Sequence, residues 1–169
     1  MNTLLTTPSP SAPARRGTLH TVGRTLLPTL TGSGWPAGRA ARLRDVREAD
    51  VDRTLKQLAA VGTPVRVGRY TLIEPGQDPA ERLAQTQAVV TRRRWEAAVV
   101  TWDSTGMTDP ALRPQLARLF TAICHGEIHG IVAASRTDIS AFDEVYESTL
   151  AAIRARGGFL TLARSETTF

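Results

Sequence analysis

The chain has little of what would mark it as secreted, membrane-spanning or built around metal. It has one cysteine, Cys124, in 169 residues. No intrachain disulfide framework can form, and a reducing cytoplasm is the expected setting. No apolar run approaches the roughly 18 residues that would cross a bilayer. The start, Met1-Asn-Thr-Leu-Leu-Thr-Thr-Pro, has no basic segment leading into an apolar one, so no secretory signal is expected. Lysine is nearly absent as well: Lys56 stands alone among 21 basic residues. GC-rich codon usage explains that bias as readily as a need for bidentate phosphate contacts does. What is present is a 41% hydrophobic composition, enough to bury a core. The net charge of +5 is uneven. Residues 1–65 carry eight Arg and one Lys against four acids, whereas 66–169 carry twelve Arg against twelve acids. A generic attraction to nucleic acid therefore belongs to the N-terminal third.

Three segments follow from the patterning. Residues 1–16, with Pro-Ser-Pro-Ser-Ala-Pro at 8–13, read as a disordered tail. Residues 17–64 read as a basic, partly helical arm, with weak helical content at Thr18–Leu30 broken by Pro28. Its best helix has Val51, Leu55, Leu58 and Ala59 on one face, Asp50 as N-cap and Gly62 as stop. From Val65 the rhythm becomes β/α. Strands are expected at Val65–Ile73, Ala97–Trp102, Ile128–Ala134 and Phe159–Ala163. Helices are expected at Asp78–Arg93 (Leu83, Thr86 or Gln87, and Val90 inward), Pro110–Cys124 (Leu112, Leu116, Leu119, Phe120, Ile123) and Ser140–Arg156 (Val145, Leu150, Ile153). Asp78-Pro79 reads as N-cap and first helical position, and Gly126 and Gly157-Gly158 as helix stops. Apolar strands separated by helices indicate an α/β fold. It is a three-layer sandwich with a mostly parallel central sheet of about four strands, preceded by a small helical N-terminal arm. Right-handed crossovers place the useful loops at the carboxyl ends of the strands.

The residues at those ends form a series. Tyr70-Thr71-Leu72-Ile73-Glu74 closes the first strand, and Gln77-Asp78-Pro79 follows. Trp102-Asp103-Ser104-Thr105-Gly106 closes the second, and Arg113-Pro114-Gln115-Leu116 opens the next helix. Gly126-Glu127-Ile128-His129-Gly130-Ile131-Val132 leads through the third strand to Thr137-Asp138-Ile139-Ser140, and Arg156-Gly157-Gly158-Phe159 opens the last. In order and spacing this resembles the catalytic domain of serine recombinases (resolvases and invertases) over 65–169. The resemblance implies a resolvase-like fold whose serine attacks a DNA phosphate while arginines stabilise the phosphorane.

The departures fall on that chemistry. Glu74 stands at the nucleophile's position and Leu72 at that of the first-strand arginine. Thr137, Asp138 and Ala141 occupy the places of an Asp and two Arg. Arg113 alone keeps its charge, and Gln85 or Gln87 stands for the helix glutamine. The family's long dimerisation helix and DNA-binding domain would follow Phe169. The resemblance thus implies a degenerate recombinase, not an enzyme of strand exchange, with a vestigial pocket of Tyr70, Glu74, Asp103, Arg113 and Asp138. It would act by protein contacts or by modulating a DNA-bound partner, with DNA at the basic N-terminal arm and a protein partner or a second copy as its candidate partners, without cofactor or membrane.

Two other readings stay open. Helices followed by a β-ribbon at Thr63–Ile73, turning at Gly68, would make a winged-helix-like DNA-binding module at 36–73. Arg39, Arg42, Arg44 and Arg47 are its candidate phosphate contacts; Arg92, Arg93 and Arg94, which end the first helix of the α/β unit and complement its dipole there, are a separate candidate. Against it, the ribbon needs the residues of the first sheet strand, so an arm packing on the α/β unit or on a partner competes. Alternatively, Glu74, Asp103 and Asp138 converging on Arg113 would hold a divalent cation as a metal-dependent hydrolase or nuclease does. Cys124-His125-Gly126-Glu127-Ile128-His129 offers ligand types, but Gly126 breaks the helical face a His pair needs, so no metal site is expected. Ser104 and Ser140, without a local His or Asp partner, read as turn and N-cap residues.

Overall fold

The computed structural model describes residues 35–166 apart from Met107, with side chains from Gly38 onward. The tail expected at 1–16 and the helical content expected at Thr18–Leu30 lie outside the described residues. The elements are α1 (Trp35–Ala60), β1 (Arg66–Leu72), α2 (Ala80–Arg93), β2 (Glu96–Asp103), α3 (Pro114–Cys124), β3 (Gly130–Ala133), α4 (Asp143–Ala155) and β4 (Phe159–Leu162). Short 3-10 turns lie at Pro110–Leu112 and Arg136–Asp138. The strands form one parallel sheet in the order β2-β1-β3-β4. The expected three-layer α/β architecture is what forms.

Handedness decides the layers. The β1-to-β2 step runs opposite to the β2-to-β3 and β3-to-β4 steps, so right-handed crossovers put α2 on one face and α3 and α4 on the other. Leu116, Leu119, Ile131, Leu150, Ile153 and Leu160 form the core under α3 and α4. A face carrying α2 alone would leave the β4 side bare. The N-terminal helix fills that gap: α1 packs against β4 and meets α4. Its Val51 joins Val67, Val89, Val90, Val132 and Phe159 in the second core. The described part of the expected arm, α1, thus packs on the α/β unit.

The start of that helix differs from expectation. Asp50 is no N-cap but a buried mid-helix residue, ion-paired to Arg53 and, at 3.8 Å, to Arg154. The helix runs unbroken from Trp35 because its buried stripe is half polar: Ala40, Leu43, Arg47, Asp50, Val51 and Thr54. Hydrophobic periodicity cannot find such a stripe. Gly62 ends the helix as expected, with φ +66°.

Arg47 makes the polar stripe tolerable. Its Nε and Nη2 donate to the Glu166 carboxylate at 2.6 and 3.0 Å, and the Tyr146 hydroxyl donates to the same carboxylate at 2.8 Å. All three residues are buried. Removing one partner of such a pair strands the other charge and costs about 3–5 kcal/mol.

Other boundaries moved for local reasons. No ribbon turns at Gly68; it lies within β1, where a Cβ would stand 2.5 Å from Leu119 Cδ2. Glycine is there to let α3 approach, so the winged-helix geometry is absent from 63–73. The helix expected at Pro110–Cys124 is split at Arg113, which Pro114 holds extended (φ −88°, ψ 114°). Leu112 consequently points outward, 76% exposed. Pro79, not Asp78, is the N-cap of α2, while the Asp78 carboxylate accepts from Ala80 N–H at 2.9 Å. Its sheet-facing residues are Thr86, Val89 and Val90, and Gln87 is exposed. The α4 helix starts at Asp143 with Phe142 as N-cap, and Ser140 Oγ accepts from Phe142 N–H at 3.0 Å. Finally, β2 was expected as a buried strand. As the edge of the sheet it leaves Val100 and Trp102 46% and 45% exposed. No helix among the described residues is long and apolar enough to cross a membrane.

The Glu166 pair predicts a pH dependence. Burial alone would raise the Glu166 pKa. The Arg47 hydrogen bond and charge, aided by Tyr146, outweigh it and hold the carboxyl below the usual 4.5. A depressed folded-state value means the contribution is complete above about pH 4.5 and disappears as pH falls through the folded value. Urea unfolding of the wild type should therefore weaken progressively below about pH 4.5. The loss should be shallower in Glu166→Gln; parallel curves would show that the pair contributes nothing.

Candidate functional site

In a sheet ordered 2-1-3-4 the chain reverses direction between β1 and β3, and the crevice at their carboxyl ends is where such folds bind ligands. Side chains alternate along β1, so neighbours serve opposite layers. Tyr70 joins the core under α3, whereas Arg69 and Thr71 face α2.

On the α3 side, buried Tyr70 donates its hydroxyl to Asp103 Oδ2 at 3.1 Å. The Asp103 carboxylate also accepts from Gln115 and Leu116 N–H, both at 3.1 Å, and so caps the start of α3. Burial raises the Tyr70 pKa, Arg113 opposes the shift, and the Asp103 charge adds to it, so the phenol stays protonated as a donor. Arg113, 2% exposed, gives Nε and Nη2 to the Thr108 carbonyl at 3.0 and 2.5 Å, and Nη1 to the Asp138 carbonyl at 2.7 Å. Its charge is spent on main-chain oxygens.

On the α2 side, Asp138 is fully buried and fully satisfied. Its Oδ1 accepts from Thr71 Oγ1 (2.9 Å), Leu72 N–H (2.8 Å) and Arg82 Nη2 (2.7 Å). Its Oδ2 accepts from Ser135 N–H (2.6 Å) and Ser135 Oγ (3.0 Å). Arg82 also donates to Thr71 Oγ1 and Ser135 Oγ, at 2.9 and 3.2 Å. Next to it, Arg69 donates to Thr86 Oγ1 and the Leu83 carbonyl, and burial lowers its pKa.

The expected pocket therefore divides. Tyr70, Asp103 and Arg113 share one layer; the Asp138 carboxylate belongs to the other, and only its carbonyl meets Arg113. Glu74 joins neither. It is exposed on the turn after β1, where its N–H and C=O bond the side chain and N–H of Gln77 at 3.2 and 3.0 Å. The three carboxylates do not converge, because the alternation of Tyr70 and Thr71 sends their partners to opposite faces. No cluster of three or more His, Cys, Asp or Glu that could hold a metal occurs among the described residues. His129, apart from His125, accepts the Arg66 N–H on Nδ1 at 3.1 Å.

Sequence reading passed over Arg82, Thr71 and Ser135. Arg82 was findable: it precedes Thr86 and Val89 at i+4 and i+7, a cation on the stripe of α2 that faces the sheet.

The basic candidates separate just as clearly. Arg39 pairs with Asp143 at 3.1 Å, Arg42 with Glu147 at 2.6 Å, and Arg44 with Asp45 at 3.5 Å. Arg47 is buried on Glu166. Arg92, Arg93 and Arg94 are exposed at the end of α2, with Arg93 over the Trp95 ring. Arg92 and Arg93 border a groove of about 370 Å³ whose other wall carries Glu48 and Asp52 of α1.

Solved structures share this architecture. The C-terminal catalytic domain of ISC1926 TnpA, an IS607-like serine recombinase, matches with a TM-score of 0.54 at 14% identity, over 62% of this chain and 71% of that one. The N-terminal catalytic domain of TP901-1 integrase matches with a TM-score of 0.52 at 13% identity, over 58% and 76%. No protein-family model and no curated protein matches the sequence. The chain has the fold of a serine recombinase catalytic domain.

Asp138 should be a structural keystone. Asp138→Ala takes the shared acceptor from an arginine, two hydroxyls and two N–H groups, and should cost about 3–5 kcal/mol in urea unfolding. A loss under about 1 kcal/mol would show that the network is loosely held.

Proposed function

We propose that this chain is a recombinase-fold protein that does not carry out strand exchange and instead acts through protein contacts, modulating a DNA-bound partner. The observation that carries the reading is the state of the charged groups at the carboxyl ends of β1 and β3. Covalent phosphoryl chemistry needs a hydroxyl to attack phosphorus and free cations to receive the charge that develops. The strand end offers the Glu74 carboxylate, which repels phosphate. Arg113 is committed to the carbonyls of Thr108 and Asp138, and Arg82 to Thr71, Ser135 and Asp138. Unlike the paired arginines of α1, Arg92, Arg93 and Arg94 have no ion pair among the described residues. Any direct DNA contact made here would be a salt-sensitive one through that triplet.

The test is covalent capture. Incubation with a random-sequence DNA duplex pool, followed by a denaturing gel, should show no protein–DNA adduct for the wild type. Glu74→Ser should not create one, because the arginines remain engaged. A nuclease-sensitive adduct with the wild type would overturn the reading.

A further inference from the structure

Among the described residues no strand pairs with the outer edge of β2, and that edge is self-complementary. The ladder to β1 shifts register between Val67 and Gly68, which leaves Val99–Asp103 as the regular part of the strand. Along a strand, successive main-chain groups point alternately to either side. The Asp103 carbonyl accepts from Ile73 N–H at 3.0 Å, so Val99, Thr101 and Asp103 face β1. The N–H and C=O of Val100 and Trp102 therefore face outward. These same residues carry the half-exposed apolar side chains of the strand. Edges of this kind are normally guarded by proline, lysine or an outward charge. Positions 98–104 have none: their one charge, Asp103, is turned inward onto Tyr70, Gln115 and Leu116.

We infer that β2 pairs antiparallel with β2 of a second copy about a two-fold axis at Thr101. This axis sets Val100 against Trp102 twice, each as a hydrogen-bonded pair, making about four main-chain bonds. It also sets an aromatic against a β-branched side chain on the α2 face, and Thr101 against Thr101 on the other. An axis at Val100 would instead bring Trp102 against the irregular stretch at Ala97–Val99. A second copy fits electrostatically: no like charges meet across 98–104, although the chain carries +5 overall. The patch is small. Two tryptophans and two valines fall below the roughly 1,200 Å² of a standard interface, so the dimer is weak and concentration-dependent. This inference does not depend on the absence of catalysis.

Sedimentation velocity of the full chain from about 5 to 500 µM, with amide hydrogen exchange followed by NMR, tests it. The dimer fraction should rise with concentration. Exchange at Val100 and Trp102 should slow about tenfold at the high end, while Thr101, already bonded to β1, should not change. Trp102→Lys should be monomeric throughout; Val100→Lys, with its far-UV spectrum checked, guards against misfolding of the first variant. A monomer at every concentration overturns the inference. So does a dimer that leaves both amides unprotected or survives both substitutions.

Discussion

The two inner strands are fastened at their carboxyl ends by one carboxylate. Asp138 reaches from the turn after β3 to the Leu72 N–H and Thr71 hydroxyl of β1, takes the Arg82 guanidinium from α2, and closes its own turn through Ser135. A fully buried carboxylate is tolerable only with its lone pairs met, and here five donors meet them. Everything near the switch point follows from this constraint. It commits Arg82, fixes the turn that presents the Asp138 carbonyl to Arg113, and leaves β1 to supply its other face to Tyr70 and Asp103.

A similar logic operates at the N-terminal side. The topology places two crossovers on one face and one on the other, and α1 supplies the missing cover over β4. It does so with a stripe containing Arg47, Asp50 and Thr54, made acceptable by Glu166, Arg53 and Arg154. Of the arginines of the first third, Arg39 and Arg42 are thereby drawn into holding α1 to α4, and Arg47 into holding it to Glu166.

The strands, helices and fold were legible from Val65 onward because each apolar run had the period of its element. The same method failed where burial was polar: Asp50 looked like a cap because charged residues are ordinarily outside. It failed at Leu112, where Pro114 turned an apolar residue outward against its spacing, and at Val100 and Trp102, because strand order is not written in local periodicity. The site was half legible. Tyr70, Asp103, Arg113 and Asp138 were named, but their separation into two layers depends on which neighbour of β1 each one meets. Glu74 stood out only as a departure from a motif, and its exposed position on the turn comes from the geometry around Gln77.

On the function proposed above, Arg113 and Arg82 at the sheet's carboxyl end hold the fold together and are not available to a phosphate. Nitrogen-15 NMR of the arginine Nε–H groups during titration with duplex DNA examines this directly. Arg113 and Arg82 should give slowly exchanging signals that do not move as DNA is added. A saturable shift of the Arg113 signal would contradict the account, because it would show that guanidinium leaving Thr108 and Asp138 to meet a phosphate.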